Sequence, residues 1–173
     1  LNSDKAYTAG FILGLTTDTQ DTSGTILTRS DFIPDEMMVR QTLPAFVGHQ
    51  KQTPPMYSAI KIDGKKLYEL AREGKEIERP VRDIEIYQIN YLGYLNGEYK
   101  IHISCSKGTY IRTLIHDIGA FLGCGAVLSS LRRTDTGSFS EKDSVKLDDI
   151  EIAVERGDFS FLRPVDSIFM TYN

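Results

Sequence analysis

The stretch CSKGTYIRTLIHDIGAFLG, residues 105–123, sets Cys105, Lys107, Tyr110 and Arg112 on the approach to an otherwise apolar helix. An arginine there faces the positive end of the helix macrodipole, which disfavours it by roughly a few tenths of a kcal/mol. Either Arg112 is a solvated surface group, or it holds an anion, since an unpaired buried guanidinium costs several kcal/mol. Gly108 permits a tight strand-to-helix corner that projects Tyr110 and Arg112 toward a sheet edge. Three further groupings hold residues of the same kind. Lys5 and Tyr7 share one strand face. LRRTDTG, residues 131–137, sets Arg132 and Arg133 side by side, which suits phosphate contact. Tyr57 and Tyr68 stand among Lys61, Lys65, Lys66 and Arg72, a mixture that suits an RNA surface and equally an amphipathic hairpin.

These residues need elements to position them. In YTAGFILGL the period-two residues Tyr7, Ala9, Phe11, Leu13 and Leu15 predict a strand. TTDTQDTSG is turn-rich and too polar for a core. A short helix is expected from Pro34, with Pro44 near its end. YSAIKI reads as a strand, Asp63-Gly64 as a hairpin turn, and KKLYELAREG as a helix stopped by Gly74. RDIEIYQINYLGYL, Asn96-Gly97 and EYKIHISCS form the clearest hairpin, with Tyr99, Ile101, Ile103 and Cys105 on one face. From Thr109 onward Ile111, Leu114, Ile115, Ile118, Phe121 and Leu122 predict a helix that buries their stripe and ends at Gly123. AVLSSLRR suits a strand or a short helix, and LDDIEIAVERG a helix that Asp148 could cap. Strands and helices mix without regular alternation, so the fold class is α+β.

At 173 residues and 40% apolar, the chain fits one globular domain. No apolar run approaches the roughly 20 residues that span a bilayer. Two separated cysteines suit a reducing cytoplasm, and neither they nor the three histidines make a metal-ligand pattern. Net charge is −4 but segregated: residues 100–133 hold five bases and one acid, residues 134–173 nine acids and four bases. From the residues alone this is a soluble α+β domain with a basic surface suited to RNA.

KAYTAGFILGLTTDTQDTSG, QTPPMYSAIKIDGKKLYELAREG, CSKGTYIRTLIHDIGAFLGCGA and LRRTDTG stand in the order they have in bacterial tRNA pseudouridine-55 synthases. The chain resembles that TruB family from about residue 2 to Ser167. The resemblance implies the pseudouridine synthase α+β fold, a mixed central sheet flanked by helices, with residues 46–78 as a thumb-like loop that clamps RNA. It implies a cytoplasmic isomerase of a T-loop uridine, position 55 of tRNA, with no cofactor and no metal. The partner is the T-arm stem-loop of tRNA, and no obligate protein partner is expected. The target base must first leave its stack, at roughly a few kcal/mol.

By the same resemblance Arg112 pairs with a nucleophilic Asp, and Tyr7 stacks on the target base as candidate for proton abstraction at C5. Tyr110 lines the pocket and Leu131 closes it. Asp21 contacts the flipped nucleotide region. RNA contact further falls to Lys61, Lys65, Lys66, Tyr68, Arg72, Lys107, Arg132 and Arg133. The family's nucleophile lies in a GTLDP-like loop ahead of the opening strand, and no such motif occurs in residues 1–173. Asp18, Asp21 and Asp117 stand in other contexts. The expectation is therefore a piece without the N-terminal part of the fold or the C-terminal RNA-binding extension, inactive alone. The alternative is a non-catalytic RNA-binding module.

Overall fold

The computed structural model describes residues 3–164 and 166. Strand β1 (Lys5–Leu13) turns at Gly14 (φ 88°) into β2 (Leu15–Thr17), which returns as β3 (Ile26–Arg29). Helix α1 (Glu36–Thr42) is capped by the Asp35 carboxylate, which accepts from the Met38 N–H at 2.8 Å. A 3-10 turn at Leu43–Phe46 then leads into β4 (Gly48–Gln52). Strands β5 (Lys61–Ile62) and β6 (Lys65–Lys66) make a small hairpin ahead of α2 (Leu67–Arg72). The long pair β7 (Arg82–Leu95) and β8 (Glu98–Cys105) precedes α3 (Ile111–Phe121). Strands β9 (Ala126–Thr136) and β10 (Phe139–Ser140) and helix α4 (Leu147–Glu155) follow.

Six strands form the central sheet in the order β10-β9-β1-β8-β7-β4. Every one of its ladders is antiparallel, where a mixed sheet was expected. The β7–β8 and β9–β10 links are tight turns, and a parallel pair would need a long crossover. Among the described residues parallel contact is confined to the isolated bridge between Asp21 and Leu128. Asn96 (φ 53°) and Gly97 (φ 83°) give the β7–β8 turn two left-handed residues, the signature of the type I′ hairpin.

The core lies on one face of this sheet. Tyr7, Ala9, Phe11 and Leu13 of β1 are buried there beside Tyr99, Ile101, Ile103 and Cys105 of β8. Phe11 stacks on Tyr99 with ring centroids 5.3 Å apart, an arrangement that contributes about 0.5–1.5 kcal/mol beyond area burial. Helix α3 lays Ile111, Leu114, Ile115 and Ile118 on this face.

Four expectations are adjusted. Phe121 is 66% exposed because it sits on the border of the stripe, and it meets Phe46 edge-on. Only Lys61–Ile62 of YSAIKI is extended, since Pro54-Pro55 and the Asp63-Gly64 turn leave no room for a longer strand. Asp148 lies inside the first turn of α4, where its charge complements the dipole, and Lys146 is the capping position. Thr17 of the polar loop is buried, its hydroxyl donating to the Asp21 carbonyl at 2.7 Å. AVLSSLRR resolves as strand. Residues 48–52 of the 46–78 segment zip onto β7 as the sheet's edge strand, so the excursion proper follows Gln52. Among the described residues no helix is long and apolar enough to cross a membrane.

Candidate active site

The corner between β8 and α3 is built by local rules. Gly108 (φ 82°) reverses the chain, and the Thr109 hydroxyl donates to the Ser106 carbonyl at 2.9 Å. Tyr110 is the N-cap of α3, yet its side chain makes no capping bond. Its main chain is held from 58 positions away: Gln52 Oε1 accepts from the Tyr110 N–H at 2.8 Å, and Gln52 Nε2 donates to the Tyr110 carbonyl at 3.1 Å. Gln52 is buried at the end of β4, where the only sequence signal was a polar residue ahead of Thr-Pro-Pro. Because it grips both main-chain polar groups of Tyr110, Gln52 fixes where α3 starts.

Arg112 is thereby set in the first turn of α3 with its side chain 24% exposed. Its Nη1 donates to Asp21 Oδ2 at 2.9 Å and to the Thr19 carbonyl at 3.2 Å; its Nη2 donates to the Tyr57 carbonyl at 2.7 Å. A guanidinium carries five N–H donors. Among the described residues three are engaged, leaving the Nε–H and one Nη2–H for a further acceptor. The solvated alternative is excluded, and an anion does meet Arg112.

That anion, Asp21, is held from several sides. Its Oδ1 accepts from the Thr19 hydroxyl at 2.7 Å, the Ser23 hydroxyl at 2.5 Å and the Ser23 N–H at 3.1 Å. Burial pushes its carboxyl up, but the hydrogen bonds from Ser23, Thr19 and Arg112 outweigh this and hold it below the usual carboxylate range. The loop is pinned to the sheet, with Thr22 N–H donating to the Leu128 carbonyl at 2.9 Å and Leu128 N–H to the Gln20 carbonyl at 3.1 Å. Gln20 itself is left-handed (φ 64°), a conformation that costs a non-glycine residue about 1 kcal/mol or more. The buried Thr113 hydroxyl stabilises that turn by donating to Gln20 Oε1 at 2.9 Å. Gln20, Gln52, Thr19 and Thr113 were not singled out by sequence. Each acts through a partner tens of residues away or through its main chain.

On the β1–β9 side, Tyr7 is buried and stands opposite Arg133, whose guanidinium carbon lies 5.5 Å from the ring centroid. Leu131 is opposite Ala9, two residues from Arg133 on the same face of β9, and exposed. Arg132 points to the other face and pairs with Glu141. Lys107 is exposed at the corner before Gly108. In the excursion the Tyr68 ring has Lys66 Nζ and the Arg72 guanidinium carbon each 5.3 Å from its centroid. Lys66 Nζ donates to the Tyr68 hydroxyl at 3.1 Å, and that bond pushes the amine up. Lys61 lies opposite Lys66 across the hairpin, and Lys65 opposite Ile62. The structure thus brings Arg112 to Asp21, Tyr7 to Arg133, and Lys66 and Arg72 to Tyr68. Among the described residues no cluster of His, Cys, Asp and Glu is arranged to hold a metal ion.

A family model described as TruB family pseudouridylate synthase (N terminal domain) matches residues 1–111. A second, the tRNA pseudouridylate synthase B C-terminal domain, matches residues 112–170. The tRNA pseudouridine synthase B of Azoarcus sp. (strain BH72) is 44% identical over 168 residues, 97% of this chain and 56% of the relative. That of Oceanobacillus iheyensis is 49% identical over 158 residues, 88% of this chain and 52% of the relative. The chain spans about half the length of the curated relatives it matches. A crystal structure of a Cbf5-Nop10-Gar1 complex superimposes with a TM-score of 0.65 at 28% identity, covering 91% of this chain and 39% of that one. With its corner, its Arg112–Asp21 pair and its β1 tyrosine set on this sheet, the chain belongs to the TruB family of pseudouridylate synthases.

Proposed function

We propose that the full-length protein is an isomerase that converts the T-loop uridine at position 55 of tRNA to pseudouridine. The observation that carries this is the half-buried Arg112, braced by Thr19, Tyr57 and Asp21, with two N–H donors still to place. In the reaction the N1–C1′ bond breaks and a C5–C1′ bond forms. The C5 proton leaves and N1 gains one, so no oxidant or cofactor enters. A carboxylate that attacks the substrate covalently would dock on the two remaining donors of Arg112, which hold it ionised and aimed. The family resemblance gives that role to an Asp of a GTLDP-like loop, and residues 1–173 contain none. We assign it to the remainder of the protein.

Tyr7 presents its ring to the extruded uracil and its hydroxyl to the C5 proton, with Tyr110 and Leu131 lining the same hollow. Residues 46–78 act as the thumb that closes on the T-arm, with the Lys66–Tyr68–Arg72 group offering a ring that has two cations each 5.3 Å from its centroid. Lys61, Lys65, Lys107 and Arg133 add positive charge along the path of the backbone, whereas Arg132, on the other face and paired with Glu141, lies off it. The test uses purified full-length protein and a T-arm stem-loop RNA with no other polypeptide, scoring pseudouridine formation. Arg112→Met is expected to lower turnover at least about a hundredfold while tRNA binding is largely kept. Unchanged turnover would reject the pairing role of Arg112. Binding without product by the unaltered protein would establish the non-catalytic module instead.

A further inference from the structure

Helix α3 begins without a capping device of its own. Tyr110 occupies the capping position with no side-chain bond, and the first turn carries no acid to complement the helix dipole. The first N–H groups of a helix have no partner within it, so an uncapped first turn is where a helix frays. Arg112 is the second helical residue, and fraying of that turn would carry its guanidinium away from the Asp21 loop. The rest of α3 would stay seated, because Leu114, Ile115 and Ile118 are buried in the core.

What closes that turn is the stretch from Gln52 to Tyr57, which touches the start of α3 at two points. At one end Gln52, 4% exposed, holds the Tyr110 main chain. Its Nε2 and the Leu114 N–H, each at 3.1 Å, share the Tyr110 carbonyl that opens the α3 ladder. Burial keeps water from competing for these bonds. At the other end the Tyr57 carbonyl accepts from Arg112 Nη2 at 2.7 Å. The span between them is stiff. Pro54 and Pro55 are buried, each with its φ fixed by its ring, and Arg79 Nη1 donates to the Pro54 carbonyl at 3.2 Å. The strand before it is fixed too, since Gln52 ends β4 opposite Arg82 of β7.

The groups expected to meet RNA are held separately. Helix α2, which carries Tyr68 and Arg72, is tied at its start by the Leu67 N–H to the Ile60 carbonyl at 2.8 Å and by the Tyr68 N–H to the Ser58 carbonyl at 3.1 Å. Among the described residues the Gln52 side chain bonds to Tyr110 alone, so losing it would loosen the start of α3 and spare that group. We infer that Gln52 is a positioning residue of the isomerisation: by closing the first turn of α3 it fixes where Arg112 meets the attacking carboxylate, and so sets the rate of the chemical step and not the affinity for tRNA. This rests on the functional proposal above, which gives Arg112 its reaction to serve.

The test introduces Gln52→Met, which nearly keeps the buried volume and removes both bonds to Tyr110, into full-length protein and into its Arg112→Met variant. Single-turnover pseudouridine formation at saturating protein is read beside tRNA affinity, with rates scaled to the folded fraction from circular dichroism. Gln52→Met is expected to slow the chemical step about tenfold and to change tRNA affinity less than about twofold. On the Arg112→Met background the same substitution should slow it less than about twofold, because a residue that acts through Arg112 then has nothing left to position. An equal loss on both backgrounds would make Gln52 a general structural residue and overturn the inference. So would an unchanged rate in Gln52→Met, and either result leaves the enzyme assignment standing. Should Gln52→Met not fold, Gln52→Glu, which keeps an acceptor for the Tyr110 N–H and loses the donor to its carbonyl, enters the same cycle with the same overturning results. If the unaltered full-length protein forms no pseudouridine, the functional proposal itself falls, and this inference with it.

Discussion

Replacing Asp21 by asparagine keeps the side chain's size and its acceptor oxygen toward Thr19 and Ser23, and puts an amide NH2 where Oδ2 faced Arg112, so the charge and the acceptor of the Nη1–H bond are lost together. The two side chains are 22% and 24% exposed, between the regimes of surface and buried ion pairs. Exposed pairs contribute roughly 0–1 kcal/mol, and stripping one partner from a buried pair costs about 3–5 kcal/mol. A hydrogen bond to a charged group contributes about 1.5–3 kcal/mol, and partial solvation takes the lower half of that range, so the loss is about 2 kcal/mol. With an m-value of about 2 kcal/mol per molar, the urea midpoint of the full-length protein should fall by about 1 M.

The pH dependence separates charge from packing. Asp21 has a folded-state pKa below its unfolded value of about 3.9, so its contribution is fully present above about pH 4. It is lost as pH falls through the lower folded value. The gap in unfolding free energy between the unaltered protein and its Asp21→Asn variant should hold from about pH 7 down to about pH 4 and close below that. A gap as wide well below pH 4 as at neutral pH would show that shape, not charge, had been removed. No gap at neutral pH would show the pair to be screened like a surface one, and Arg112 would then lack its anchor.

Thr113→Val removes the hydroxyl that donates to Gln20 Oε1 and should cost about 1 kcal/mol. If Thr113 positions the Asp21 turn, kcat falls with KM little changed and Thr113→Ser restores it; equal behaviour of Ser and Val variants would make the role structural only. Tyr7→Phe should keep ring stacking and substrate affinity while losing proton abstraction, whereas Tyr7→Leu should lose both, as read by single-turnover rates beside tRNA affinity. Full turnover in Tyr7→Phe would move the base elsewhere.

What could be seen in the sequence was what is decided locally. The alternation in Tyr7 to Leu13, the Asn96-Gly97 reversal and the Ile111–Ile118 stripe each declare themselves within a dozen residues, and the fold follows them. Gly108, Tyr110 and Arg112 marked the corner for the same reason. What stayed hidden is polar and remote. Arg112 and Asp21 are 91 positions apart, Thr113 and Gln20 are 93, and Gln52 and Tyr110 are 58. Hydrogen bonding has no period along the chain, so such a partner looks like any other loop residue. Asp21 entered the sequence reading as a contact of the flipped nucleotide, and in the structure it is the carboxylate against Arg112.

That pairing bears on how a nucleophile is tuned. A lone guanidinium at the positive end of α3 would grip an attacking carboxylate with a full charge plus the helix dipole, and strong stabilisation of an anion lowers its nucleophilicity. Asp21 neutralises the guanidinium, and among the described residues two of its N–H donors stay unengaged. The carboxylate that the proposed function brings to Arg112 would then meet oriented hydrogen bonds and a helix terminus, with little net charge. On the proposed function it would be held in place and kept ionised, yet not locked into an ion pair it must break before it can attack. On this logic Asp21→Asn should do two opposite things at once: destabilise the protein and tighten Arg112's hold on its second carboxylate. Turnover would then fall further than the loss of stability alone explains.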